Sequence, residues 1–226
     1  MNKQQEKVWI VTGASGGLGL AIVKTLLAHD IRVAAFSRNA QAVEQAVGHG
    51  ETGRFMAFSV KLHEESSVAA AAERVLQKFG TVDVVVNNAG RGQRGAVEEV
   101  TDAEVRAAFD DNFFSQLNMM RCFLPVMRKQ KWGYFINLGS VGSFKSKACS
   151  GIYCATKYAV NALTQAINLE CAAYHIHSTC VKPFDLRTNY LAPTHIQQRA
   201  RNAMTASTAS TNWTMTRPMA LSPATP

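Results

Sequence analysis

V-W-I-V-T-G-A-S-G-G-L-G, residues 8–19, runs from an apolar strand through a glycine-rich turn toward a helix. Residues 8–12 form a short apolar run that ends at glycine, as a buried strand does. Leu20, Ile22, Val23, Leu26 and Leu27 then recur at helical spacing. Between the two, Gly13, Gly17 and Gly19 remove side chains where a backbone must turn sharply or approach a pyrophosphate. The helix N-terminus behind them offers unpaired N–H groups and the positive end of its dipole. Ser15 and Leu18 lie in the same loop. The glycine spacing is not the commonest for a dinucleotide site. On these residues alone a plain strand–turn–helix connection stays open.

The alternation continues outward. Candidate strands are 8–12, 32–36, 55–60, 82–87, 133–138 and 177–181, and candidate helices are 18–28, 40–47, 64–79, 102–129 and 151–174. Strands alternating with helices predict right-handed crossovers and a doubly wound parallel sheet in three layers. The run V-D-V-V-V-N at 82–87 is almost wholly apolar, as a strand covered on both faces requires. Val160, Leu163, Ile167, Cys171 and Tyr174 form a core or interface stripe on the last helix.

The second informative stretch is S-V-G-S-F-K-S-K-A-C-S-G-I-Y-C-A-T-K, residues 140–157. Tyr153 and Lys157 are four apart, so on a helix they share one face. An ammonium beside a phenol favours the phenolate, and a tyrosine so tuned exchanges protons near neutral pH. Ser140 supplies a hydroxyl for the same oxygen. An ordinary helix face is the competing reading of Y-x-x-x-K.

Together these segments resemble the short-chain dehydrogenase/reductase family. The resemblance rests on T-G-A-S-G-G-L-G at 12–19, N-N-A-G at 87–90, F-D-D-N-F-F-S around Asn112, N-L-G-S at 137–140 and Y-C-A-T-K at 153–157, in that order. It covers about residues 7–190. It implies a Rossmann fold and an oxidoreductase moving a hydride between a nicotinamide and a carbonyl or alcohol. The implied catalytic set is Asn112, Ser140, Tyr153 and Lys157: Tyr153 as general acid/base, Lys157 lowering its pKa and holding the ribose, Ser140 orienting the substrate oxygen, Asn112 holding a relay water. A solvent-facing asparagine is the alternative at 112. The implied cofactor contacts are Gly13, Ser15, Gly17, Leu18, Gly19, Ser37, Arg38, Leu62, Asn88, Ala89, Gly90, Tyr153, Lys157, Pro183 and Thr188, with Asn87 supporting the sheet edge.

Cofactor choice turns on A-A-F-S-R-N at the end of the second strand. An NAD site usually carries a carboxylate there for the ribose 2′-OH. This chain has Ser37 and Arg38, which suit the 2′-phosphate of NADP(H). A solvated loop charge is the plainer reading of Arg38.

Three features depart from the family pattern. Lys61 and Leu62 stand where an aspartate and a valine are usual, and lysine cannot accept a bond from adenine. Phe184 stands at a glycine position, while Pro183 and Thr188 keep their spacing. Residues 191–226 are rich in Ala, Thr, Ser and Pro without helix or strand period, and read as a disordered tail after a domain of residues 1–190. The sheet is therefore expected to lack the family's last strand and helix. A non-catalytic or defective NADP(H)-binding protein is the alternative function.

The net charge of +8 is scattered rather than gathered with aromatics on one face, which argues against nucleic acid. No apolar run is long enough to span a bilayer, and the N-terminus has no signal-peptide pattern. Five cysteines without C-x-x-C spacing suit a reducing compartment, so a cytoplasmic location is expected. The six histidines show no metal spacing. The expected partners are a small carbonyl or alcohol substrate and a second copy of the chain, forming a homodimer or tetramer through helices 102–129 and 151–174. Arg91, Arg94, Phe144, Cys149, Ser150 and Tyr190 are candidate pocket residues from their places near the motifs.

Overall fold

The computed structural model describes residues 7–183. Thr188, Phe184, Tyr190, the 191–226 tail and the expected loss of the final strand and helix lie outside the described residues.

Local chemistry sets the element boundaries. Strand β1 (Val8–Thr12) feeds helix α1 (Gly17–Ala28), and β2 (Arg32–Ser37) feeds α2 (Ala40–Val47). The Asn39 side chain caps α2 by accepting from the Ala42 N–H at 3.2 Å. Gly48, left-handed at φ 97°, ends that helix. Strand β3 (Phe55–Ser59), α3 (Glu65–Phe79) and β4 (Val84–Asn87) follow, with left-handed Gly80 closing α3. Helix α4 (Asp102–Phe109) starts at a Thr101/Glu104 capping box. It passes through a π-turn at Asp110–Phe114 into α5 (Ser115–Gln130). The single helix expected over 102–129 is therefore one helical run with a bulge at Asn112. Strand β5 (Gly133–Leu138), α6 (Gly151–Glu170) and β6 (Ile176–Val181) complete the described chain. The helix expected to reach 174 stops at Glu170 and ends in a short 3₁₀ turn, Ala172–Tyr174.

The six strands form one parallel sheet in the order β3-β2-β1-β4-β5-β6. Alternation within β1 sends Val8 and Ile10 to one face and Trp9 and Val11 to the other. The first face packs against α3, α5 and α6, the second against α1 and α2. Phe36, Phe55, Phe123 and Phe135 are wholly buried. Each such side chain stabilises by roughly 1.5–3 kcal/mol relative to exposure. The apolar stripe of α6 is buried at Val160, Ile167 and Cys171, while Tyr174 at its end is 40% exposed beneath Arg128.

The order reverses between β1 and β4. In an open parallel sheet a ligand crevice forms there, beyond the C-terminal strand ends. All the loops discussed below leave the sheet at that edge.

Candidate active site

The glycine turn is braced from the neighbouring strand. Thr12 ends β1, and its hydroxyl accepts from the Asn88 and Ala89 N–H groups at 3.0 Å each. The Asn88 amide donates to the Thr12 carbonyl at 2.9 Å. Gly13 adopts φ +66°, and a Cβ there would lie 3.0 Å from the Ala89 Cα, so the position excludes side chains twice over. Gly16 begins α1 without a side-chain cap, and the first turn holds no acidic residue. Ser15, Gly16 and Gly17 are exposed, with Leu18 half-buried and Gly19 buried behind them. Uncapped N–H groups, small residues and no competing carboxylate fit an anionic pyrophosphate.

The Ala14 N–H donates to the Phe36 carbonyl at 3.2 Å, tying this loop to the end of β2. Ser37 there is buried, and its hydroxyl accepts from the Asn39 N–H at 3.3 Å. Arg38 is exposed and makes no ion pair among the described residues. Just beyond β3, Lys61 points outward, its side chain 67% exposed and paired with Glu64 at 3.1 Å. Such a pair is worth well under about 1 kcal/mol. Leu62 packs on the core, and its carbonyl accepts from Asn118 of α5 at 3.1 Å.

Tyr153 and Lys157 stand one turn apart on α6. Lys157 is 3% exposed, and its ammonium donates to the Leu138 carbonyl at 2.7 Å. Burial pulls its pKa down from 10.5 to about 8, opposed by the nearby Cys180 thiol. The Lys157 Nζ lies 6.0 Å from the centroid of the Tyr153 ring. Ser140 caps the 3₁₀ turn Val141–Ser143 that leaves β5, its Oγ accepting from the Gly142 N–H at 3.1 Å. A Cβ on Gly142 would lie 3.5 Å from both the Ser140 Oγ and the Tyr153 Cε1, so the two side chains flank that glycine.

Asn112 is wholly buried in the π-turn, which excludes the solvent-facing alternative. Its Oδ1 accepts from the Arg91 N–H at 2.8 Å, and its Nδ2 donates to the Arg91 carbonyl at 2.9 Å and to the Thr156 hydroxyl at 3.3 Å. An amide side chain thus pairs with the backbone of the loop after β4 as a strand would. A Cβ on Gly90 would lie 2.8 Å from the Asn112 Oδ1 and 3.5 Å from the Lys157 Nζ, so only glycine lets the three groups converge. The Arg91 side chain reaches Asp111 at 3.0 Å. Pro183 is half-buried just beyond β6.

Spacing alone missed a buried polar ladder behind these groups. Asn137 accepts from Asn87 at 2.9 Å and donates to the Thr164 and Ser178 hydroxyls at 2.9 Å each. Asn168 exchanges two bonds of 2.7 Å with the Ser178 backbone. The ladder crosses β4, β5 and β6 and bolts α6 to the sheet through Thr164 and Asn168. Both residues follow Lys157 at near-helical spacing, and that periodicity of polar side chains was the available signal. Asn137 also directly precedes Leu138, the carbonyl that receives Lys157.

The family model for short chain dehydrogenase matches residues 7–199. The chain belongs to this family of oxidoreductases, which bind a nicotinamide cofactor. A 3-ketodihydrosphingosine reductase of Bacteroides thetaiotaomicron is 33% identical over 186 residues, 82% of this chain. The chain spans 66% of that reductase's length. A short-chain dehydrogenase from Streptomyces avermitilis shares 36% identity at a TM-score of 0.78, over 84% of this chain and 70% of that one. A 3-ketoacyl-(acyl-carrier-protein) reductase from Brucella melitensis, solved with NADH, shares 25% identity at a TM-score of 0.77, over 87% and 82%. Among the described residues no helix is long and apolar enough to cross a membrane, and no cluster of three His, Cys, Asp or Glu could hold a metal.

Proposed function

We propose that this chain moves a hydride between NADP(H) and a carbonyl or alcohol substrate, with Tyr153 as the proton carrier. The observation that carries the reading is the convergence of Tyr153, Ser140 and buried Lys157 at the C-terminal sheet edge, beside an uncapped glycine turn. The nicotinamide supplies or accepts the hydride at its own ring. The protein's share is position and proton transfer. Ser140 orients the substrate oxygen and donates to it as charge grows there. Tyr153 gives that oxygen a proton in reduction and takes one in oxidation. Lys157, kept against Leu138, faces the tyrosine ring and holds the cofactor ribose. Asn112 fixes the Gly90–Arg91 loop beside Lys157 and serves the relay of protons to solvent.

The choice of NADP(H) rests on Arg38 being exposed without an ion-pair partner among the described residues, on a strand end lacking a carboxylate. The Brucella neighbour carries NADH, so the choice needs its own test. Titration calorimetry of the full chain should show NADPH binding at least tenfold tighter than NADH, and Arg38→Gln should remove most of that difference. Equal affinities would overturn the 2′-phosphate role. Binding of neither cofactor by folded protein would favour a defective relative. Exposed Phe114, on the π-turn before α5, and exposed Tyr158 and Leu169, on α6, support self-association through this region, testable by light scattering.

A further inference from the structure

The charge of the chain is unevenly placed. Three segments frame the Ser140–Tyr153 side of the crevice: 87–97 after β4, 139–157 after β5, and 176–183 along and beyond β6. They contain Arg91, Arg94, Lys145, Lys147, Lys157 and Lys182, and no Asp or Glu. The rest of the described chain, residues 7–86, 98–138 and 158–175, holds thirteen Lys and Arg against fourteen Asp and Glu. Among the described residues the positive surplus is therefore confined to these segments. It does not lie around the glycine turn, where the cofactor phosphates would sit.

The fold brings the three segments to one place, because β4, β5 and β6 are parallel neighbours with their C-terminal ends on the same edge. The first two segments are joined by the Gly95 N–H donating to the Cys149 carbonyl at 3.0 Å. Val97 packs against the start of α6, since a Cβ on Gly151 would lie 3.2 Å from its Cγ2. Arg91 is paired with Asp111. Lys145, Lys147 and Lys182 make no ion pair among the described residues. Lys182 lies over the Phe144 ring at 5.6 Å. Phe144 and Val97 are themselves 57% and 68% exposed, so apolar surface and cationic groups adjoin beside Ser140 and Tyr153.

A crevice lined by one sign of charge concentrates ligands of the other sign. Resting on the oxidoreductase reading above, we infer that the substrate is an anion: an apolar carbonyl or alcohol compound bearing a carboxylate or phosphate, with the apolar part against Phe144 and Val97 and the oxyacid group facing the lysines. Lys145, Lys147 and Lys182 then determine specificity and take no part in the chemistry.

The test needs no turnover. Octanoate, octyl phosphate and 1-octanol are titrated by calorimetry into the full chain saturated with NADP⁺, at low and at physiological salt. At least one anion should bind tenfold or more tighter than the alcohol at low salt, and that margin should shrink severalfold as salt screens it. The stronger anion identifies the oxyacid group. Lys145→Gln/Lys147→Gln should lose most of the margin while NADPH affinity stays within twofold. Octanol binding as tightly as both anions, or an unchanged margin in the double variant, overturns the inference. A margin that holds in a protein inert toward every carbonyl tested with NADPH would instead refute the catalytic reading and leave the anion site standing.

Discussion

The half of the molecule proposed to hold the nucleotide, β1 to α3, and the half proposed to carry catalysis, from β4 onward, share one sheet but are built on different chemistry. Of the fourteen buried polar residues among those described, only Thr12 and Ser37 belong to the first half, and the other twelve run from Asn87 to Ser178. The first half arranges backbone. Glycines and apolar strands lead into a helix start without a side-chain cap, which suits the proposed cofactor phosphates, whose charge does not change in the proposed reaction. The second half arranges side chains, as the proposed proton transfer requires, because proton carriers need fixed partners. Lys157 illustrates the cost. It is buried against one carbonyl in a site that holds its pKa well below that of a free lysine.

The sharpest break of this contrast is Tyr153→Phe. Loss of the phenol should lower kcat about 10³-fold on any carbonyl the chain reduces, within the range for general acid/base groups. NADPH affinity measured by calorimetry should stay within a fewfold. A variant that keeps its rate would remove Tyr153 from the proton path.

Next in size is Asn137→Leu. It strands the amide of Asn87 and removes partners from Thr164 and Ser178 at once, so urea unfolding should show a loss of about 2–4 kcal/mol. Ser37→Ala in the nucleotide half removes one hydroxyl with one long bond and should cost under about 1 kcal/mol. Equal losses would mean that the two halves do not differ in how polar groups hold them.

The smallest effect has the opposite sign. A lysine whose pKa falls from 10.5 to about 8 on folding binds fewer protons folded than unfolded. Stability therefore rises with pH between those values and carries its full penalty below about 8. A shift of that size corresponds to about 3 kcal/mol. Lys157→Met removes the penalty but leaves the Leu138 carbonyl without its donor, a cost of about 1–3 kcal/mol. The variant should be inactive yet about 1 kcal/mol more stable at pH 7, with its gain fading as pH climbs toward 10.5. A Tm difference that does not change with pH would show that Lys157 is not held in a desolvated site.

Most of the sheet was legible from short-range pattern. Each expected strand lies within two residues of an observed one, and helix 40–47 coincides with α2. Apolar periodicity and glycine stops are local, so they survive in a one-dimensional reading. The π-turn at Asn112 escaped because one extra residue in a helix leaves its amphipathic pattern almost unchanged. The proposed catalytic positions were named from their motifs. Their supports were not: Thr12 with Asn88, Asn112 with Arg91, Asn137 with Thr164 and Ser178 are pairs separated by 21 to 76 positions. The positive rim was likewise hidden in a charge that looked scattered along the chain.

Residue order alone settled the alternation of strand and helix, the glycine turn and the Tyr153–Lys157 pair, because each depends on neighbours within a turn or a strand. Folding decided which polar side chains became partners and where the surplus charge collected. A parallel sheet brings distant strand ends to one edge, and buried amides and ammonium groups must find hydrogen bonds wherever the packing places them.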